Sequence, residues 1–167
     1  MTKTFERHVV LIAPRIHWNT GNIGRTCLGT GTRLHLIRPL GFSLDSQHVR
    51  RAGLDYWPQV DVQVWEDFDT FSRRYAVGEG EIALFSKTGG RDFWRMPLSR
   101  RMFLVFGSET AGLPDDIRAH HAQRIFYIPI NDRIRSLNLS TAVALALYES
   151  LDRRAEFHGW QAHPTRG

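Results

Sequence analysis

The stretch Arg124–Leu151, RIFYIPINDRIRSLNLSTAVALALYESL, decides how the chain folds. It opens as an apolar strand over Ile125–Ile128 and is stopped by Pro129, which has no N–H to give to a sheet. A polar loop, Asn131–Ser136, follows, and Leu139–Leu151 reads as a helix. Leu139, Ala142, Val143, Ala144, Leu145, Ala146, Leu147 and Leu151 leave that helix almost no polar side. Such a helix is covered by its own domain, by a second subunit, or by both. Either Asn138 or Ser140 can cap its start, which would present free backbone groups to whatever lies there. Taken alone, the segment is equally consistent with a strand, a loop and a core helix that carry no site.

Upstream, short apolar runs alternate with helical stretches. Strands are predicted at Val9–Ala13, Leu34–Ile37, Val60–Trp65, Glu81–Ser86 and Phe103–Phe106. Helices are predicted at Ile23–Thr30, Ser46–Ala52, Glu66–Tyr75 and from Pro114 to His120, with Asn19–Arg25 as a glycine-bearing turn into the first. Unbroken apolar strands alternating with helices imply an α/β fold, a mostly parallel sheet with helices on both faces. No repeat, linker or low-complexity tract interrupts the pattern. Residues 1–155 are expected to form one domain, with a polar tail over 156–167.

The 22 Lys and Arg against 17 Asp and Glu give a formal charge of +5. Lysine stands only at positions 3 and 87, so the excess is arginine, whose planar fork suits phosphate and hence a nucleic-acid partner. The single cysteine, Cys27, excludes an intrachain disulfide and a multi-cysteine metal site. The eight histidines contain no H-E-x-x-H. His120 and His121 are adjacent and on a helix would point away from a common ligand, so no metal is expected. No apolar run reaches the roughly 18 residues a bilayer demands, and VVLIA behind the charged MTKTFERH is too short for a signal peptide. No membrane partner is expected, and the cytoplasm is the expected compartment.

In open α/β sheets, ligands bind beyond the carboxyl ends of the strands. Four polar or glycine-bearing loops follow strands here, at 19–25, 86–90, 107–113 and 130–138. Gly107 and Gly112 either allow close backbone approach or positive φ at a site, or are ordinary turn glycines. Neither G-x-G-x-x-G after a strand nor G-x-x-x-x-G-K-[ST] occurs, which removes dinucleotide and P-loop readings. Gly107-Ser108-Glu109-Thr110-Ala111 is not the G-x-S-x-G of an α/β-hydrolase.

Three loop sequences together are more specific. N-T-G-N-I-G-R-T (Asn19–Thr26), L-V-F-G-S-E-T-A-G-L-P (Leu104–Pro114) and I-P-I-N-D-R-I-R-S-L-N-L-S-T-A-V-A (Ile128–Ala144) resemble, in order and spacing, the three motifs of the SPOUT class of RNA methyltransferases. Within it the chain is similar to the short tRNA ribose 2′-O-methyltransferases that modify the wobble cytidine or uridine (the TrmL type). Arg50-Arg51-Ala52-Gly53-Leu54-Asp55-Tyr56 also looks like a signature of that group. The likeness spans about residues 8–155.

The resemblance implies a C-terminal trefoil knot, an S-adenosyl-L-methionine site within it, tRNA as partner, and a homodimer with the terminal helix in the interface. By position it implies a cofactor shell of Leu84, Gly107, Ile128, Ser136 and Leu137, with Leu84, Ile128 and Leu137 sandwiching the adenine. It places Arg25 at the reaction centre, with Ser136 and Asn138 ordering the third loop or touching the substrate side. A guanidinium stays protonated, so Arg25 fits a phosphate anchor that stabilises a developing alkoxide better than it fits a base. Asn19, Arg25, Arg50, Arg51, Arg133 and Arg135 are the expected RNA contacts. Glu109 either holds a backbone turn or reaches the other subunit. Trp18, Tyr56 and Trp57 either stack a base or pack in the core, and packing is the commoner role.

His17-Trp18, Ser108, Ala111 and Asp132-Arg133-Ile134 depart from the family pattern. These departures bear on substrate choice more than on cofactor binding. The alternatives left open are methylation of another tRNA position or of rRNA, and an RNA-binding dimer without turnover.

Overall fold

The computed structural model describes residues 5–44, 47 and 55–151. All of the predicted helix Ser46–Ala52 except Gln47, and with it Arg50 and Arg51, lies outside them. In chain order the elements are β1 (Glu6–Ile12), α1 (His17–Gly29), β2 (Arg33–Ile37), β3 (Val62–Trp65), α2 (Phe68–Tyr75) and β4 (Ile82–Phe85). They continue with β5 (Arg91–Asp92), β6 (Arg101–Phe106), α3 (Asp115–His120), β7 (Ile125–Tyr127) and α4 (Leu139–Ser150). The strands form one sheet in the order β3-β2-β1-β6-β4-β7-β5, and every pairing is parallel.

Side chains alternate across each strand, so a strand buried on both sides feeds two cores. Val9 and Leu11 of β1 join Ile23 and Cys27 of α1 and Val143, Ala146 and Leu147 of α4 on one face. Val10 and Ile12 join Phe68 and Phe71 of α2 and Leu113 on the other, with Ile117 of α3 packed against them. The α/β fold read from the sequence is therefore present, with its sheet wholly parallel. Among the described residues no helix is long and apolar enough to cross a membrane.

Two local expectations are corrected, and one strand is added to those expected. The segment expected as a turn over Asn19–Arg25 is helical, because α1 starts at His17. Its glycines serve packing: a Cβ on Gly24 would lie 2.5 Å from the Trp57 ring, and the Tyr56 hydroxyl donates to the Gly21 carbonyl at 3.1 Å. Tyr56 and Trp57 are thus packing residues, while Trp18 is exposed. The two-residue strand β5 is too short to leave a periodic signal. His120 and His121 do not point apart, because α3 ends at His120 and the chain leaves the helix at His121 (φ −111°, ψ 31°). Their ring centroids lie 4.7 Å apart.

Two polar clusters with buried members brace the sheet. Arg7 donates from Nε and Nη2 to the Ser150 carbonyl at 3.1 and 2.7 Å, placing a cation at the negative end of α4. The other is a chain of side chains from Trp65 to Glu6. Trp65 Nε1 can only donate, so His35 Nδ1 accepts at 3.1 Å. His35 Nε2 then carries the proton shared with His8 Nδ1 at 2.9 Å, and His8 Nε2 donates to Glu6 at 2.7 Å. Both rings are almost wholly buried.

Desolvation lowers both histidine pKa values; for His35, with the neighbouring His8 and Arg33 adding to the effect, it falls to about 3. The unfolded chain, titrating near 6.5, therefore takes up protons first as pH falls. Stability should be full above pH 6.5 and decline below it, by up to about 1.4 kcal/mol per pH unit from His35, levelling off near pH 3. Urea melts at pH 7.5, 6 and 5 measure this slope. His35→Gln, which keeps hydrogen-bonding atoms but cannot titrate, should flatten it; an unchanged slope would assign the loss to other groups.

Candidate functional site

β1, β6, β4 and β7 are neighbours in the sheet; at their carboxyl ends β6, β4 and β7 lead into the 107–113, 86–90 and 130–138 loops, and β1 into the start of α1 with the first motif. Between these loops lies a cleft of about 820 Å³. Gly107, Ile128, Ser136, Leu137 and Asn138 all line it, together with Phe85, Ser86 and the 108–112 turn. Its volume falls within the range of small-molecule and cofactor sites. A second cavity of about 810 Å³ opens at the opposite, amino edge. None of the three motifs reaches that cavity, and its Arg33 and Arg101 are engaged by Asp61 and Glu81 at 2.6 Å each. The carboxyl edge is the better candidate.

Glu109 joins the first and second motifs. Its carboxylate accepts from the backbone N–H groups of Arg15 at 2.8 Å and Ile16 at 3.2 Å, and from Asn19 Nδ2 at 3.2 Å. The side chain of Ile16, the N-cap of α1, has nothing to offer the free N–H groups there. The cap comes instead from a residue some ninety positions away, with its charge at the positive end of the helix dipole. Within one chain Glu109 therefore holds the backbone entering α1.

Asn19 carries the connection onward. Its Oδ1 accepts from Asn138 Nδ2 at 3.1 Å, and Asn138 Oδ1 accepts from Ser140 N at 2.9 Å and Ser140 Oγ at 2.7 Å. Asn22 Nδ2 closes the circuit onto Ser140 Oγ at 3.1 Å. Asn138 is therefore the N-cap of α4, one of the two caps expected. Asn19, expected to touch RNA, is instead buried with both ends of its amide occupied, so it positions the loops.

The second loop is shaped by its glycines. Gly112 adopts φ +69°, and Ser108 and Gly112 exchange backbone hydrogen bonds at 3.2 and 3.0 Å. The turn folds back so closely on Gly107 that a Cβ there would sit 1.9 Å from the Gly112 carbonyl carbon. The loop after β4 is held from α3: Arg118 Nη1 donates to Ser86 Oγ at 2.6 Å, and Nη2 to the Thr88 carbonyl at 3.2 Å. Nothing in the local sequence marks Arg118 for this task, since its partners lie about thirty residues upstream.

Leu84 departs from expectation. Its side chain is fully buried on the α2–α3 face of the sheet and does not line the cleft; the alternation along β4 turns Phe85 to the cleft instead. Arg25 also lies outside the cleft lining, exposed on α1 with its guanidinium 5.5 Å from the Tyr56 ring centre. Arg133 and Arg135 are exposed on the 130–138 loop. Cys27 is buried in the core, and desolvation pushes its thiol up to about 12, so it has no nucleophilic role.

The model of the SpoU rRNA Methylase family matches residues 6–148. The chain belongs to that family. Among curated relatives of this SpoU-type methylase, the Burkholderia ambifaria tRNA (cytidine(34)-2'-O)-methyltransferase is 43% identical over 154 residues, covering 91% of this chain and 97% of the relative. A solved structure described as "Structural insights into the 2-OH methylation of C/U34 on tRNA" is 40% identical with a TM-score of 0.80, covering 88% of this chain and 95% of that one. An AdoMet-bound rRNA methyltransferase from Sinorhizobium meliloti is 25% identical with a TM-score of 0.77, covering 90% of this chain and 57% of that one. The SpoU-type methylase described above thus matches the shorter relatives over nearly their whole length.

Proposed function

We propose that the protein transfers a methyl group from S-adenosyl-L-methionine to the ribose 2′-hydroxyl of cytidine or uridine 34 in tRNA. The observation that carries this reading is the convergence of three motif loops on one cleft, tied by Glu109, Asn19 and Asn138, in a chain so similar to proteins named for that reaction.

The cleft fits the donor. Phe85, Ile128 and Leu137 offer apolar walls for a purine, and the backbone near Gly107, Ile128 and Leu137 offers polar partners for its edge. When bound, the donor supplies an electrophilic methyl on a sulfonium that leaves uncharged. Ser136 faces the cleft and contacts the substrate side, while Asn138 fixes the loop that carries it. Arg25 anchors a phosphate and stabilises negative charge developing on the ribose oxygen; Arg133 and Arg135, with Arg50 and Arg51, track the RNA backbone. Holding the hydroxyl in line with the methyl supplies much of the acceleration, and the hydroxyl proton passes to solvent as the new O–CH3 bond forms and the bond to sulfur breaks.

Two further properties belong to the proposal. β7 enters the sheet between β4 and β5, both earlier in the chain, after which α4 returns to pack on α1. That late insertion supports a threaded, trefoil-knotted C-terminal segment. α4 buries Val143, Ala146 and Leu147 but leaves Leu145 and Tyr148 on its outer side, 44% and 57% exposed. This apolar strip supports a homodimer through α4. Leu145→Glu combined with Tyr148→Glu should halve the mass measured by light scattering to that of a 19.3 kDa monomer; a double variant that stays dimeric would move the interface elsewhere.

The deciding experiment incubates the protein with methyl-labelled donor and bulk tRNA, then maps the methylated nucleotide. Label at ribose 34 supports the proposal. Label at another tRNA position, or in rRNA offered in a parallel incubation as the family description allows, would keep the chemistry and change the substrate. No transfer to any RNA, with donor binding undetectable by calorimetry, would leave an RNA-binding dimer without turnover.

A further inference from the structure

The corner of the molecule farthest in function from the cleft holds three side chains that the proposed reaction does not use. Glu79 lies in the short turn that leads into β4, and His120 and His121 end α3 just before β7. Each offers one ligand atom, and the three atoms all lie within 4.8 Å of one another. His121 Nδ1 is buried and has no hydrogen-bond partner, although Glu79 Oε1 stands 3.4 Å away. A buried ring nitrogen without a partner is costly and calls for an explanation.

That separation has a second meaning. Metal–ligand bonds of about 2.0–2.1 Å at tetrahedral angles put neighbouring ligand atoms about 3.4 Å apart. The Glu79–His121 pair already stands at one edge of such a tetrahedron. His120 and Glu79 are exposed, so small rotations can close the remaining distances and an ion can enter from solvent. The ring centroids lie 4.7 Å apart and the ligand atoms of the two rings within 4.8 Å, close enough for one ion to bridge them after such rotations.

We propose that Glu79, His120 and His121 bind one divalent first-row transition ion of the zinc type per chain, with solvent in the fourth position. Two imidazoles and a carboxylate suit zinc and its neighbours better than magnesium or calcium, which favour oxygen alone. Arg124, whose Nε donates to the Ile82 carbonyl at 2.8 Å, interacts electrostatically with Glu79. The carboxylate is thus shared with a fixed cation, which limits affinity. The role is structural. The ion ties the turn before β4 to the turn before β7, the two strands whose other ends deliver Ser86 and Ile128 to the cleft.

The test is calorimetric titration of zinc chloride into tag-free, chelator-treated protein. One ion per chain should bind with a Kd of about 10 μM or tighter, and saturating zinc should raise Tm by about 4 °C or more. His120→Ala, which removes an exposed ring and leaves the unliganded melting temperature unchanged, should weaken binding at least about tenfold, as should Glu79→Gln. Replacing His158 and His163, which lie outside the described residues, should change nothing. A Kd weaker than about 100 μM would overturn the proposal, as would unaltered binding in His120→Ala or an equal Tm rise with magnesium.

Discussion

Gly107→Ala should abolish donor binding. The new Cβ would lie 1.9 Å from the carbonyl carbon of Gly112, 2.2 Å from its oxygen and 2.2 Å from the nitrogen of Leu113. All three are backbone atoms, so no side chain can swing aside. Either the Ser108–Gly112 bridge opens or the end of β6 shifts, and both movements deform the wall of the cleft. Calorimetry should show donor affinity reduced by at least about two orders of magnitude, well beyond what one lost hydrogen bond would give. Gly112→Ala is the informative contrast. Nothing stands within 4 Å of a Cβ there, and the cost is only the positive φ of +69°, about 1–2 kcal/mol. If Gly107→Ala bound the donor within threefold of the unaltered protein, the 107–112 turn would have no part in the site.

Arg25→Ala should divide binding from turnover. The residue is exposed on α1 and outside the cleft lining, so donor affinity should stay within a few fold. Transfer to tRNA should fall at least about 100-fold, the scale seen when one donor to a developing oxyanion is removed. Arg25→Lys keeps the charge but loses the fork, and an intermediate rate is expected. Single-turnover rates with saturating donor make the measurement. A large loss of donor affinity would place Arg25 in the cofactor site; full activity would remove it from the reaction.

What the sequence disclosed depended on how local each signal was. The strands were legible because a strand buried on both faces must be apolar throughout, and Asn138 was legible as a cap because capping needs only a few adjacent residues. The start of α1 was not, since its cap is Glu109, and no window around His17 contains it. Leu84 against Phe85 shows a different limit: a shift of one residue on a strand exchanges the two faces, and two apolar neighbours do not say which is which. The His8–His35 pair falls between. A histidine inside each of two apolar runs is visible, but their meeting depends on β1 and β2 being neighbours.

The link from Glu109 through Asn19 to Asn138 also bears on how the protein is made. Residues from the beginning, the middle and the end of the polypeptide must all be present before any of the three loops is fixed. A nascent chain still lacking Asn138 already contains all seven strands of the described sheet but not the residue that ties the third loop to α1. Contacts of such long sequence separation form slowly as a rule, so completion of the pocket is expected to come late in folding.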